Sequence, residues 1–181
     1  MVNKAVFIDR DGTININSGY IIKPDHLQIY SGVSKGIRLL NEHGFKIIII
    51  TNQSGIARGF YSEKILEEIH KKLKIELKKE NAKIDAIYYC PHHPNENCNC
   101  RKPKPGLLEQ AITDLNIDKE KSYMIGDRML DIEAGSKIGC KTILIPEDNE
   151  KIEKEMKRSS VIPDYICNSF FSGVKWILNR D

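Results

Sequence analysis

A parallel β-sheet covered by helices on both faces, an α/β fold, is what this sequence predicts, and three features predict it. Short apolar runs recur without apolar/polar alternation, segments of helical period separate them, and polar or glycine-bearing strings follow them. A strand that is half-exposed keeps a period of two, so continuous apolar runs point to strands buried on both sides. Strands alternating with helices point to parallel pairing through crossover connections.

The first run, residues 5–8, ends at Asp9-Arg10-Asp11-Gly12-Thr13. Helical spacing over 33–43 is closed by Gly44 as a C-terminal cap, and a second strand follows at 47–51. Ser62 then opens a long helix whose Ile65, Leu66, Ile69, Leu73 and Leu77 form one apolar stripe. Glu67 with Lys71, and Glu68 with Lys72, are four apart, which predicts a solvated, ion-paired outer face. Further strands are predicted at 87–90, 123–125 and 142–145, with a short sixth near Tyr165 and Ile166. Helices fit 107–115, 129–138 (followed by Gly139), 150–158 and 171–179.

The 181 residues are expected to form one domain, 1–181, large enough to bury roughly 70% of its unfolded surface. No inserted segment is long enough for a second domain, so the site should be relatively open. A net charge of +3 suits a small anionic substrate better than nucleic acid, and an aromatic content of 7% argues against a strand-binding groove. The start runs directly into the first strand, and no apolar run is long enough to span a bilayer. The expectation is a cytoplasmic monomer with no nucleic-acid or membrane partner. Three of the five cysteines crowd between Cys90 and Cys100, as in metal binding within a reducing compartment. Cys140 and Cys167 are expected to pack as small apolar residues.

Asp9, Thr51, the Cys90 cluster and Asp127 each stand just past the carboxyl end of a predicted strand, the edge where open α/β sheets bind ligands. Asp9 suits a nucleophile attacking phosphorus, provided cations neutralise the mutual repulsion. Asp11, two residues on, could protonate the leaving oxygen and then deprotonate water if the site tunes its pKa upward. As a solvated turn, the same string would need only its Asx hydrogen bonds. Thr51 and the amides of Asn52-Gln53-Ser54-Gly55 form an oxyanion cradle, or else merely cap the following helix. Arg101-Lys102-Pro103-Lys104-Pro105-Gly106 holds basic groups on a proline-stiffened loop. Asp127 would complete a Mg2+ site with the Asp9 carboxylate and the Asp11 carbonyl, unless it serves only as an N-cap. Asp131 would orient Lys102 or metal-bound waters.

Cys90, Cys98 and Cys100 with His92 or His93 offer three thiolates and an imidazole, the donor set of a closed structural Zn2+ site. Four protein ligands leave no open position, so the role of zinc would be to shape the loop carrying Arg101 and Lys102.

Asp9 and Asp11, Thr51, Lys102 and Asp127 resemble, in order, the four motifs of the haloacid dehalogenase superfamily of phosphotransferases. This implies a Rossmann-like three-layer fold with a mostly parallel central sheet, no separate cap domain and a zinc-binding loop. It also selects Lys102 over Lys104 as the phosphate-binding lysine, and His92 over His93 as the zinc ligand. The strings Thr51-Asn52-Gln53-Ser54-Gly55-Ile56-Ala57-Arg58-Gly59 and Tyr88-Tyr89-Cys90-Pro91-His92-His93-Pro94 look like the heptose bisphosphate phosphatases. The short zinc loop is shared with the sister histidinol phosphate phosphatases. The heptose resemblance implies that Asn17, Ser18, Gly19, Tyr20, Asn52, Gln53 and Ser54 line the substrate site, with Arg101 and Arg128 on sugar or distal phosphate. It further implies a small-molecule sugar bisphosphate as substrate, cleaved at its 7-position to a heptose 1-phosphate that feeds nucleotide-activated heptose synthesis. A cationic histidinol phosphate would instead need an acidic contact, for which Glu96 is the only carboxylate inside the zinc loop. A zinc-bearing binding module without catalysis would have no use for Asp11.

Overall fold

The computed structural model describes residues 2–181. Six strands, β1 (Ala5–Ile8), β2 (Lys46–Asn52), β3 (Ala86–Cys90), β4 (Tyr123–Gly126), β5 (Lys141–Leu144) and β6 (Tyr165–Ile166), form one sheet in the order β3-β2-β1-β4-β5-β6. Every pairing between them is parallel. Helices α1 (Val33–Glu42), α2 (Glu63–Lys78), α3 (Gly106–Leu115), α4 (Met129–Ile138), α5 (Asn149–Met156) and α6 (Phe170–Leu178) supply the connections and the tail. The sequence expectation of a Rossmann-like three-layer fold holds, with boundaries displaced by one or two residues.

Strand parity divides the core. Val6 and Ile8 share one face with Ile47 and Ile49, packed against α1, α6 and the Leu73 and Leu77 end of α2. Ala5 and Phe7 share the other face with Ile48 and Ile50, packed against Leu108 of α3 and Ala134 and Ile138 of α4. The run Ile47 to Ile50 is fully buried on both faces, which is why it carries no polar alternation. Each such side chain contributes about 1.5–3 kcal/mol. Cys140 packs in the second cluster, and Cys167 packs against the first, as expected.

The ion-paired face expected on α2 is built from different partners. Lys72 pairs with Glu76 at 2.9 Å and Lys79 with Glu76 at 2.6 Å, whereas Glu67–Lys71 and Glu68–Lys72 make no ion pair among the described residues. Glu76 is flanked by both lysines and takes both. Ser62 caps α2 by accepting from the Ile65 amide at 3.3 Å, and Gly139 closes α4 in the left-handed conformation, φ 85°.

The order of strands places the site. From β1 the chain moves first to β2 and β3 on one side, then returns to β4 on the other. The carboxyl ends of β1 and β4 therefore flank the crevice of a topological switch point.

Candidate active site

Parity continues past the end of β1. The Asp9 amide still donates to Ile125 O at 2.9 Å, so Asp9 stays in register and points to the α3/α4 side with Ala5 and Phe7. Arg10 points to the opposite side, toward α2. The chain then turns at Gly12, φ 91°, where a Cβ would lie 2.5 Å from Asp127 Oδ2. Only glycine lets these loops approach so closely.

On the Asp9 side, the fully buried Lys102 ammonium lies 2.5 Å from Asp9 Oδ1, 2.6 Å from Asp131 Oδ1, and donates to Ile50 O at 2.6 Å. Although burial disfavours its charge, Asp131 and Asp9 hold the lysine above its ordinary value. Burial, partly offset by Lys102 and reinforced by Asp131 and Asp11, pushes Asp9 up to about 7. Burial, with Asp9 and Asp131 nearby, pushes Asp127 up to about 8. Ligand atoms of Asp9, Asp127 and Asp131 fall within 4.8 Å of one another. Three buried carboxylates that one ammonium cannot fully neutralise suit a hard divalent cation with oxygen ligands. Asp131 thus joins the carboxylate cluster expected from Asp9 and Asp127, and it orients Lys102. Lys104 points elsewhere, donating to Asn97 O and Oδ1 at 2.7 Å, so Lys102 is the lysine at the site. Asp127 is not the N-cap of α4: Arg128 holds that position, and its amide donates to Asp131 Oδ2 at 3.2 Å.

The Asp11 side is organised differently. Its carboxylate accepts from Arg10 Nε at 3.1 Å, from Arg10 Nη2 at 2.8 Å, from Asn15 Nδ2 at 3.0 Å and from Gln53 Nε2 at 2.9 Å. Burial acts to raise its pKa, but Arg10 and these hydrogen bonds outweigh it and hold Asp11 below the usual carboxylate value. The expectation of an upward-tuned Asp11 is therefore overturned for this state, because Arg10 turns back onto it. Gln53 also donates to Thr51 Oγ1 at 2.7 Å and accepts from Tyr61 OH at 2.6 Å, so it braces Asp11 and Thr51 with both ends of its amide.

A cavity of about 270 Å³ opens here, lined by Asp9, Asp11, Asn17, Gly19, Tyr20, Thr51, Asn52, Gln53, Arg101, Lys102, Asp127, Arg128 and Asp131. Ser18 and Ser54 do not line it. Ser54 lies beneath Tyr20, its Oγ 3.5 Å from the Tyr20 hydroxyl, and Ser18 is exposed on the turn between Asn17 and Gly19. Asn52 spends its amide on the chain rather than on the cavity, accepting from the Lys102 amide at 3.1 Å and donating to Lys102 O at 3.2 Å. This pair ties the end of β2 to the loop that carries the lysine. Arg101 Nη1 is buried with no hydrogen-bond partner among the described residues. Arg128 is held by Glu155, whose Oε1 accepts from Nε at 3.1 Å and Nη2 at 2.5 Å.

Behind Lys102, Cys90 Sγ is 3.5 Å from Cys98 Sγ, Cys98 Sγ is 3.4 Å from Cys100 Sγ, and His92 Nδ1 is 3.2 Å from Cys100 Sγ. Tetrahedral ligands about 2.3 Å from a zinc ion stand roughly 3.7 Å apart, so the four donors fit the ion. His93 is occupied otherwise: its Nδ1 accepts from the Asn95 amide at 3.2 Å, and its own amide donates to Glu96 Oε1 at 2.6 Å. The structure thereby selects His92 and takes Glu96 into a local cap, away from the cavity.

Proteins of known sequence sort this geometry. The enzyme named D-glycero-β-D-manno-heptose-1,7-bisphosphate 7-phosphatase of Haemophilus ducreyi is 39% identical over 98% of this chain and 100% of its own length. The chain belongs to the heptose-1,7-bisphosphate 7-phosphatase family. The Escherichia coli K12 member of this family is 37% identical over 91% of this chain and 88% of its own length. A HAD-hydrolase-like family model matches residues 99–172. The solved D,D-heptose 1,7-bisphosphate phosphatase of B. bronchiseptica, complexed with magnesium and phosphate, superimposes with a TM-score of 0.89 at 29% identity, covering 98% of this chain and 99% of that one. The heptose bisphosphate phosphatase of Burkholderia thailandensis, 24% identical with a TM-score of 0.73, shares the fold. In this family frame, the motif residues Asp9, Asp11, Thr51, Lys102 and Asp127 converge as their strings suggest. Arg10, His70, Tyr61 and Glu155 complete the site without having been singled out in the sequence. Only the Arg10 position, between two motif aspartates, carried a signal.

Proposed function

We propose that this protein is a Mg2+-dependent phosphatase that removes the 7-phosphate of D-glycero-β-D-manno-heptose 1,7-bisphosphate, in nucleotide-activated heptose biosynthesis. The observation that carries this reading is one cavity with two zones: the Asp9, Asp127 and Asp131 carboxylates around Lys102, which suit a cation-bound phosphoryl group, and the guanidinium groups of Arg101 and Arg128, which suit a second phosphate. A monophosphate needs the first zone only. The β anomer is the one named for the Haemophilus and Escherichia relatives, which supports its choice here. A histidinol phosphate reading lacks its acidic contact, since Glu96 is engaged by the His93 amide.

In the mechanism we infer, Asp9 attacks phosphorus in line and forms an aspartyl phosphate as the P–O bond to the sugar breaks. Asp11, which takes up a proton from solvent water as the substrate phosphate enters, gives it to the departing oxygen. It then takes a proton from the water that attacks the aspartyl phosphate, releasing phosphate and restoring Asp9. Arg10 holds Asp11 ready for that second, basic role. Thr51 Oγ1 and the amides following it, with Lys102, face the oxygens of the transferring phosphoryl group. Bound Mg2+ would supply charge neutralisation between Asp9 and the phosphate, held by the Asp9 and Asp127 carboxylates and the Asp11 carbonyl. Zn2+ on Cys90, His92, Cys98 and Cys100 would be structural, fixing the loop that begins at Arg101. Asn17, Gly19 and Tyr20 cover the sugar. We further propose a single domain over 1–181, acting as a cytoplasmic monomer.

The test is phosphate release with Mg2+, comparing kcat/KM for the α and β heptose 1,7-bisphosphates and for histidinol phosphate. A preference for the β bisphosphate is expected; a preference for histidinol phosphate would overturn the substrate assignment while leaving the chemistry intact.

A further inference from the structure

His70 belongs to none of the motif strings, yet its ring on α2 is buried, 8% exposed, and reaches the catalytic loop. We propose that His70 is a positioning residue for the acid/base Asp11, acting through the guanidinium of Arg10. The inference rests on the reading of Asp11 given above.

Arg10 is only 1% exposed, and its donors divide between two directions. Nε and Nη2 serve the Asp11 carboxylate, with Gln53 Oε1 a further acceptor of Nη2 at 3.2 Å. Nη1 lies on the other side, 3.2 Å from His70 Nε2. A guanidinium only donates, so Nε2 is the acceptor and the ring is neutral, its proton on Nδ1. The surroundings keep it so, because burial and the adjoining Arg10 cation push His70 down to about 3. The Tyr89 ring, 6.1 Å away between centroids, packs beside it.

A neutral acceptor here does something that other side chains would not. A carboxylate would draw off part of the Arg10 charge that acts on Asp11, and an apolar group would leave a buried N–H unsatisfied. The imidazole fixes the plane of the guanidinium and leaves its charge undivided. Because the fork of a guanidinium sets the direction of a carboxylate bonded to it, the plane of Arg10 sets where Asp11 stands relative to the leaving oxygen.

Leaving-group dependence tests this. kcat/KM reports the steps through phosphoryl transfer to Asp9, in which Asp11 acts only as acid. A sugar alkoxide needs that proton, whereas p-nitrophenolate departs almost without it. The measurement compares kcat/KM with Mg2+ for the heptose β-1,7-bisphosphate and for p-nitrophenyl phosphate in His70→Leu, His70→Gln and Asp11→Asn. His70→Leu is expected to lose at least tenfold more on the sugar bisphosphate than on the aryl phosphate. His70→Gln, which keeps an acceptor near the place of Nε2, is expected to recover most of that loss. Equal losses on both substrates in His70→Leu, no loss at all, or a His70→Gln enzyme as impaired as His70→Leu would overturn the proposal. If His70→Leu does not fold, His70→Asn, whose amide is too short to reach Nη1, takes its place with the same expected difference. Asp11→Asn separates the two readings. If it loses equally on both substrates, the acid assignment of Asp11 itself fails; if it discriminates between them while His70→Leu does not, only the His70 inference fails.

Discussion

Asp9 and Asp11 are two residues apart and chemically identical, yet their surroundings push them in opposite directions. Asp9 leaves β1 on the α3/α4 side, among Lys102, Asp127 and Asp131, where burial and like charges push its carboxyl up to about 7. Asp11 stands beyond the turn against Arg10, Asn15 and Gln53, which hold its carboxyl below the ordinary value. The difference teaches that the first neighbourhood is short of positive charge and the second is not. The proposed mechanism accordingly assigns a divalent cation and a phosphate to the Asp9 side, and proton handling to the Asp11 side.

The largest effect expected from breaking this asymmetry comes at Asp9. Asp9→Asn removes the attacking oxygen's charge and one metal ligand together, and turnover should vanish under saturating substrate and Mg2+. Substantial residual phosphate release would argue against covalent catalysis. Asp11→Asn leaves the Asp9 cluster intact, so kcat should fall by about 10²–10⁴-fold with KM little changed, the loss typical of a missing acid/base group. A change in KM alone would remove Asp11 from proton transfer.

Metal binding sharpens the same comparison. The raised values of Asp9 and Asp127, about 7 and about 8, mean that protons compete with Mg2+ for these carboxylates. Affinity should therefore rise, with proton release, as pH increases through that range, and flatten above it. Isothermal titration calorimetry in buffers of different ionisation enthalpy reads this directly, and a pH-independent affinity between 6 and 8 would contradict it.

On the Asp11 side, the folded His70 value of about 3 lies well below the ordinary imidazole value of 6.5. The unfolded chain therefore binds the extra proton first, and stability should decline as pH falls from about 6.5 toward about 3. The slope from this group is at most roughly 1.4 kcal/mol per pH unit. Urea unfolding across that window should show the decline in the wild type and a shallower one in His70→Gln. The smallest effect is expected at the rim. Glu155→Gln loosens Arg128, and KM for the bisphosphate should rise a few-fold while p-nitrophenyl phosphate hydrolysis stays unchanged.

The sheet was legible because Ile47 to Ile50 can be buried on both faces only within a covered parallel sheet. The motif aspartates were legible because a strand end followed by glycine fixes where they emerge. Arg10 was hidden by its own context: beside two acids it resembles a solvated charge, and only the fold shows it turned inward onto α2. His70 and Glu155 arrive from distant helices, 60 and 27 residues from the groups they hold, so no local spacing could reveal them. Asn52 and Gln53 were recognised as site residues, but their amides brace Lys102, Thr51 and Asp11, a distinction that depends on which way each amide points.

The division of labour between the two carboxylates is tested most directly by locating the covalent phosphate. The Asp11→Asn enzyme, in which hydrolysis of the intermediate is slowed, would be mixed with Mg2+ and heptose bisphosphate, quenched in acid, reduced with borohydride and mapped by mass spectrometry. The account predicts homoserine at position 9, in proportion to the phosphoenzyme formed. An unmodified Asp9, with phosphate still released from the same mixture, would contradict it.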